Sequence, residues 1–265
     1  MNNSKININN MNERINSALQ ELGGGVLAVG YKDLSTGESF FYNEKFVFPA
    51  ASIVKIPILL EYFRQMEQDL LFADEILKVT KKDVVGGAGI LFELREGIEL
   101  TLRELVRLMI VISDNTASNM MLDRLGMDEI NALTRYLGLE DTAIGRKFMI
   151  DPKAKFSRNM TSVKDMVLLL EKLYKGEILN KENTEEALEI MSRQQYREKI
   201  PRYLPSKTRV AHKTGEITGV RHDCGIVYRE NSPYVFCVLT HELPDGYRGD
   251  YVIGKLSLDF FNLKE

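Results

Sequence analysis

Apolar residues at Ile8, Met11, Ile15, Leu19 and Leu22 recur at helical spacing, and Gly23-Gly24-Gly25 ends the run. Val26 to Leu34 then reads as a strand, Ser35-Thr36-Gly37-Glu38 as a turn, and Ser39 to Tyr42 as the returning strand. From Ala51 to Leu71 the pattern becomes helical. Its first turns are apolar nearly all round (Ile53, Val54, Ile56, Ile58, Leu59, Leu60), as in a helix buried on every side. Pro57 predicts a local kink there, because its missing N–H leaves the Ile53 carbonyl without a partner. Residues 73–100 read as a polar connection, and Thr101 to Ile112 as an amphipathic helix with a Thr101/Glu104 capping box. Thr116 to Leu125 and Met127 to Leu137 continue as short helices split by Gly126. Residues 138–160 form a polar loop of a length that usually has a function. Helices return at Met166 to Leu173 and Glu182 to Gln195. The last third alternates with period two over Arg209 to Thr214, Asp223 to Tyr228 and Tyr234 to His241, and a helix at Leu256 to Phe261 follows.

Strands at both ends with helices between them predict an α+β fold with one mainly antiparallel sheet built from both chain ends. The sheet part is expected in residues 1–47 and 207–265, and an all-helical part in 48–206, as one structural unit with a cleft between them. The 265 residues can bury a sizeable core without disulfides. The net charge of −3 advertises no nucleic-acid surface, and no apolar run is long enough for a membrane helix. The Asn-rich start has no apolar segment of the signal-peptide kind, so the expectation is either a cytoplasmic protein, as the chain is written, or a chain given without its leader. Lys78, Lys81 and Lys82 read as a solvated face. His212, His222 and His241 lack metal-ligand spacing, and no metal or cofactor is expected. His222-Asp223 is a weak catalytic pair that reads better as a polar rim. Cys224 and Cys237 flank a hairpin; with the loop centred on Asn231 they would face opposite ways, giving two buried free thiols.

Three short patterns bear on chemistry. Ser52-Ile53-Val54-Lys55 places a hydroxyl and an amine on one helical face, in an otherwise apolar helix. A lysine can activate a serine when burial or a neighbouring cation lowers its pKa, and a helix N-terminus offers N–H groups to an oxyanion. Ser113-Asp114-Asn115 follows the amphipathic helix and could equally be a set of caps, as could Ser157-Arg158-Asn159 in the loop. Lys213-Thr214-Gly215 lies on a strand: the lysine can face an anionic substrate, and the glycine suits close approach. An edge-strand lysine and a turn glycine would look the same.

The order and spacing of these three patterns resemble the serine β-lactamase and penicillin-binding superfamily. Thr101-Leu102-Arg103-Glu104-Leu105 with Ser113-Asp114-Asn115-Thr116-Ala117-Ser118-Asn119 looks like class A β-lactamases, as do Gln194-Gln195, Lys199-Ile200-Pro201 and Leu204-Pro205. The resemblance runs from about residue 12 to the C-terminus and implies roles. Ser52 would be acylated and Lys55 would be a base for it. Ser113 would relay a proton to the departing ring nitrogen. Asn115 would hold the substrate's amide side chain and orient Lys55. Lys213 and Thr214, with Gly215, would bind the substrate carboxylate. The backbone N–H groups of Ser52 and Glu216 would form the oxyanion hole. Lys213 would also depress the Lys55 pKa by like-charge repulsion.

One departure stands out. Class A enzymes carry a loop glutamate that activates the hydrolytic water. Here Arg146 matches the family's loop arginine, and the position two beyond it, where the glutamate belongs, is Phe148. Asp151 is the nearest substitute carboxylate, though a turn residue before Pro152 is the better reading. The resemblance therefore implies a serine hydrolase that opens β-lactam rings, with slow deacylation. A D-alanyl-D-alanine peptidase-like amidohydrolase and a β-lactam-binding sensor that acylates once are the alternatives. The superfamily's glutaminases usually have a tyrosine before Ser-Asn, where this chain has Ile112-Ser113-Asp114-Asn115. The expected partner is a small β-lactam or peptidoglycan-like molecule, the expected state is a monomer, and the family mostly works outside the cytoplasmic membrane.

Overall fold

Period-two patterning at both chain ends closes one five-stranded antiparallel sheet, as expected. The computed structural model describes residues 8–149 and 158–263. Helix α1 (Ile8–Leu22) leads into β1 (Val26–Asp33), β2 (Ser39–Tyr42) and the short β3 (Phe48–Pro49). A 3-10 turn (Ala51–Val54) opens directly into α2 (Lys55–Glu67). After α2 come β4 (Ile76–Lys78), β5 (Glu99–Thr101), α3 (Leu102–Val111), α4 (Asn115–Leu125) and α5 (Met127–Tyr136). Then follow β6 (Met160–Thr161), α6 (Val163–Tyr174), α7 (Lys181–Ser192), β7 (Arg209–Ile217), β8 (Val220–Tyr228), β9 (Tyr234–His241) and α8 (Gly246–Phe261). The sheet order is β2-β1-β9-β8-β7, so the last strand pairs with the first and β7 is an edge.

Alternation sorts the sheet's side chains into two cores. Leu27, Val29 and Tyr31 of β1 join Tyr234, Phe236 and Val238 of β9 under α1 and α8. Ala28, Val235, Cys237 and Leu239 face the helical side, where α2 to α7 pack. Gly30 permits the close approach of α6, since a Cβ there would lie 2.7 Å from Val167 Cγ2. The first turns of α2 are apolar nearly all round because they run through the helical core, with Ile56, Ile58, Leu59 and Leu60 fully buried.

Several local expectations change. The irregularity expected at Pro57 takes the form of a change of helix type. The break falls earlier, at the junction between the 3-10 turn and α2, which leaves Pro57 in the first turn of α2, where no intrahelical N–H is needed. The connection over 73–100 contains a two-stranded ribbon, β4 with β5, too short for periodicity to reveal. The terminal helix begins ten residues earlier than Leu256, at Gly246, capped by the Asp245 side chain. Cys224 and Cys237 are direct register partners on the same face, both buried and free. The hairpin pairs Val227 with Tyr234, so its centre lies half a residue before Asn231. That half-residue shift reverses the facing. Lys78, Lys81 and Lys82 are exposed, as expected of a solvated face. None of the helices in the described residues is long and apolar enough to cross a membrane.

Candidate active site

The three sequence patterns meet where the start of α2, the start of α4 and edge strand β7 come together. Ser52 stands in the 3-10 turn and keeps partial exposure, while Ile53, Val54 and Lys55 after it are buried. Ala51, just before it, has φ +46°, a left-handed conformation that L-residues adopt at a cost. Strand β7 runs against this turn: a Cβ on Gly215 would lie 3.3 Å from the Ser52 backbone N and 3.2 Å from Ala51 Cβ. Glycine there allows the strand to sit beside the hydroxyl-bearing residue.

Lys55 is wholly buried, and its amine is fully engaged. It donates to the Ser113 carbonyl (2.7 Å), the Ser113 hydroxyl (3.1 Å) and Asn115 Oδ1 (3.0 Å). Ser52 is not among its hydrogen-bond partners in the described residues. The two share a face one turn apart, and catalytic hydrogen bonds commonly tighten only when substrate is in place. Lys213 donates to the same Ser113 hydroxyl at 3.0 Å and to the Thr214 carbonyl at 2.8 Å. One hydroxyl thus sits between two buried amines. Ser113 holds it there with φ +57°, a second strained residue in the site.

The electrostatics follow from burial. Burial pushes the Lys55 amine well below its ordinary pKa, and the Lys213 charge pushes it further. Lys213 is pushed down to about 7, mainly by burial, with Asp223 opposing the shift. The repulsion expected between the two lysines is therefore present, as the smaller cause beside desolvation.

Asp114 explains why Ser113-Asp114-Asn115 also reads as caps. Its Oδ1 accepts from the Ala117 N–H (2.8 Å) at the start of α4, and its Oδ2 accepts from the Ile90 (2.7 Å) and Leu91 (2.9 Å) N–H groups. The carboxylate ties residues 90 and 91 to the start of α4. Gly89 makes room for it, since a Cβ there would lie 2.2 Å from Asp114 Oδ2. The Asn115 amide spans the gap, accepting from Lys55 and donating to the Gly86 carbonyl at 3.1 Å.

Phe148 occupies the loop position at which the resemblance implies a glutamate. Its ring centroid is 4.5 Å from the Lys55 amine. The Asn119 side chain holds the Phe148 backbone at both ends, donating to its carbonyl (3.0 Å) and accepting from its N–H (2.8 Å). Asn159, in the loop's cheap second Ser-x-Asn, is structural: its side chain takes the N–H groups of Gly145 and Arg146, at 2.9 and 3.0 Å. Asp151 lies outside the described residues.

Glu216 is the last but one residue of β7, with its side chain drawn to Lys199. Thr214 and Gly215 are buried beside Lys213. The polar-rim expectation for His222-Asp223 is corrected, since both are fully buried and do not pair with each other. Asp223 meets His212 Nδ1 at 2.9 Å and accepts from the Ile200 N–H at 3.0 Å. His222 Nε2 contacts the Pro49 carbonyl at 2.8 Å, tying β8 to the segment before Ser52. Burial lowers the His222 pKa to about 4. Sequence reasoning missed His212, Asn119 and Lys199. Asn119 carried one signal, its i,i+4 spacing from Asn115 on the same helix face.

The chain matches the sequence profile of the beta-lactamase enzyme family over residues 10–263. It is 29% identical to a beta-lactamase of Rhodobacter capsulatus over 169 residues, 62% of this chain and 57% of that protein. The match thus spans little more than half the length of that relative. A beta-lactamase of Streptomyces lavendulae is 25% identical over 248 residues, 90% of this chain and 81% of that one. The crystal structure of a beta-lactamase from Sphaerobacter thermophilus superposes with a TM-score of 0.92 at 30% identity, covering 98% of this chain and 97% of that one. A mutant of PBP-A, solved as an acyl-enzyme complex with penicillin G, superposes with a TM-score of 0.85 at 31% identity, covering 95% and 96%.

Proposed function

This chain belongs to the beta-lactamase enzyme family, and from that premise we propose that it opens β-lactam rings through an acyl-enzyme on Ser52 and frees the product slowly. The observation that carries the acylation half is the Ser113 hydroxyl held between the Lys55 and Lys213 amines at 3.1 and 3.0 Å. Lys55, whose pKa burial and the Lys213 charge lower, takes the Ser52 proton as a free amine while the oxygen attacks the lactam carbonyl, one of its three donated bonds being given up in that form. The Ser52 and Glu216 N–H groups receive the oxyanion. As the carbon–nitrogen bond breaks, the Ser113 hydroxyl gives its proton to the ring nitrogen and is reprotonated by the Lys55 ammonium. Lys213 and Thr214 hold the substrate carboxylate while this happens.

Slow release follows from Phe148. An acyl-enzyme needs a base to activate water, and such assistance is worth ~10²–10⁴ in rate. A phenyl ring over Lys55 provides none. The likeness to PBP-A keeps a peptidase-like acyl transfer as the second reading. One experiment tests these together: mix the protein with a chromogenic cephalosporin and follow product and intact mass. One rapid equivalent of product with a persistent adduct on Ser52 is expected. Sustained fast turnover would refute slow release, and neither product nor adduct would refute acylation.

A further inference from the structure

Behind β7, outside the residues assigned roles above, lies a wholly buried lysine. The Lys199 amine contacts Glu198 at 2.9 Å and Asp250 of α8 at 3.2 Å, and it bonds the Glu216 carboxylate. Burial opposes its charge, but Glu216, Asp250 and Glu198 outweigh that and raise its pKa. The same ion pair helps to lower the Glu216 pKa against burial. The mount is rigid. The turn at Ile200–Tyr203 packs on α8 at Gly254, where a Cβ would lie 3.1 Å from both Arg202 Cβ and Tyr203 Cδ2. The Ile200 N–H is fixed on Asp223 at 3.0 Å. Arg221 closes the far side, donating to the Ile217 (3.2 Å) and Val220 (2.8 Å) carbonyls with its Nε 3.4 Å from Asp250.

Glu216 is the residue whose backbone would complete the oxyanion hole, and it stands one residue before the end of edge strand β7, in register with Arg221 of β8. Strand β8 holds β7 on one side only. We propose that Lys199 is a positioning residue for acylation: by gripping the Glu216 carboxylate from α8 and the Ile200–Tyr203 turn, it fixes the end of β7 so that the Glu216 N–H points at the developing oxyanion. The proposal rests on the acyl-transfer reading above. A displacement of about 1 Å at such a donor costs about a hundredfold, so the tether acts on the rate of bond formation rather than on substrate capture.

The test compares the wild type with Lys199→Met, Lys199→Arg, Glu216→Gln and the double variant Lys199→Met/Glu216→Gln. The acylation rate constant and the dissociation constant of the non-covalent complex are separated by rapid mixing with a chromogenic cephalosporin. Lys199→Met is expected to lower the rate constant about tenfold to a hundredfold and change the dissociation constant less than about twofold. Affinity for an arylboronic acid, which forms a tetrahedral adduct on serine, should fall in step. Lys199→Arg should restore most of the loss. Glu216→Gln, which leaves Lys199 its other two carboxylates and guards against a misfolded first variant, should lose less, and the double variant should add little to Lys199→Met. Hydrogen exchange over residues 213–217 reads the tether without substrate and should quicken in Lys199→Met. Wild-type acylation in a folded Lys199→Met, or a loss confined to the dissociation constant, would overturn the proposal. If the wild type takes up no β-lactam, the acyl-transfer reading falls, and unchanged exchange in Lys199→Met would then refute the tether on its own.

Discussion

The Lys55 amine lies 4.5 Å from the centre of the Phe148 ring, at the loop position two beyond Arg146 where the family resemblance places a glutamate. The ring helps keep water from the amine and offers no base to an acyl-enzyme. Phe148→Glu should therefore shorten the life of the Ser52 adduct and raise steady-state turnover of a chromogenic cephalosporin by about a hundredfold. Phe148→Leu, apolar like the original, should remain slow. Intact mass spectrometry after a short pulse of substrate checks both. An unchanged adduct lifetime in Phe148→Glu would place the block elsewhere.

Acylation by an anionic β-lactam should show a falling limb near neutrality. Lys213 is pushed down to about 7, so in the free protein its positive charge is present below that pH and lost above it. Substrate carboxylate capture should weaken as pH rises through 7. Burial and the Lys213 charge also hold the Lys55 pKa well below the ordinary lysine value. Lys213→Arg keeps its charge at every accessible pH, so it should flatten the falling limb even where its absolute rate is lower. The pH dependence of the second-order acylation constant in both proteins decides this.

Acid should loosen the protein through His222. Its pKa is near 4 when folded and 6.5 when exposed, so the unfolded chain binds the extra proton between those values. The sign follows: the stability held by the neutral imidazole is complete above about 6.5 and is lost as pH falls toward 4. Between pH 7 and 5 this should amount to about 2 kcal/mol. Urea titrations at both pH values should show that loss in the wild type and a smaller one in His222→Gln. Equal losses would refute it.

Asp114→Ala should be among the more damaging single changes near the site. It removes the α4 cap and two hydrogen bonds that hold residues 90 and 91. The expected loss is about 3 kcal/mol, since a cap is worth about 1 kcal/mol and bonds to a charged group are stronger than neutral ones. Thermal or urea unfolding measures it. Asp114→Asn keeps an acceptor and should retain part of the stability.

The motif residues themselves were legible because each pattern is local. Ser52 and Lys55 share one helical turn, Thr101 and Glu104 form the capping box that their spacing predicts, and Lys213 and Gly215 alternate on one strand. Asp114 is the informative failure. Its cap could be read from composition, but its grip on residues 90 and 91 could not, because those partners lie more than twenty positions away in sequence.

By itself the sequence determined most of the helices and the strands of the main sheet, since hydrophobic period records which face each segment must bury, and it put the reactive residue types in recognisable order. Folding decided what those periods leave open: a half-residue shift that set Cys224 opposite Cys237, a histidine partner for Asp223, and a buried lysine behind Glu216. These depend on packing between segments far apart in the chain. A buried polar group must find its partner wherever the chain brings one, and no local pattern records where that will be.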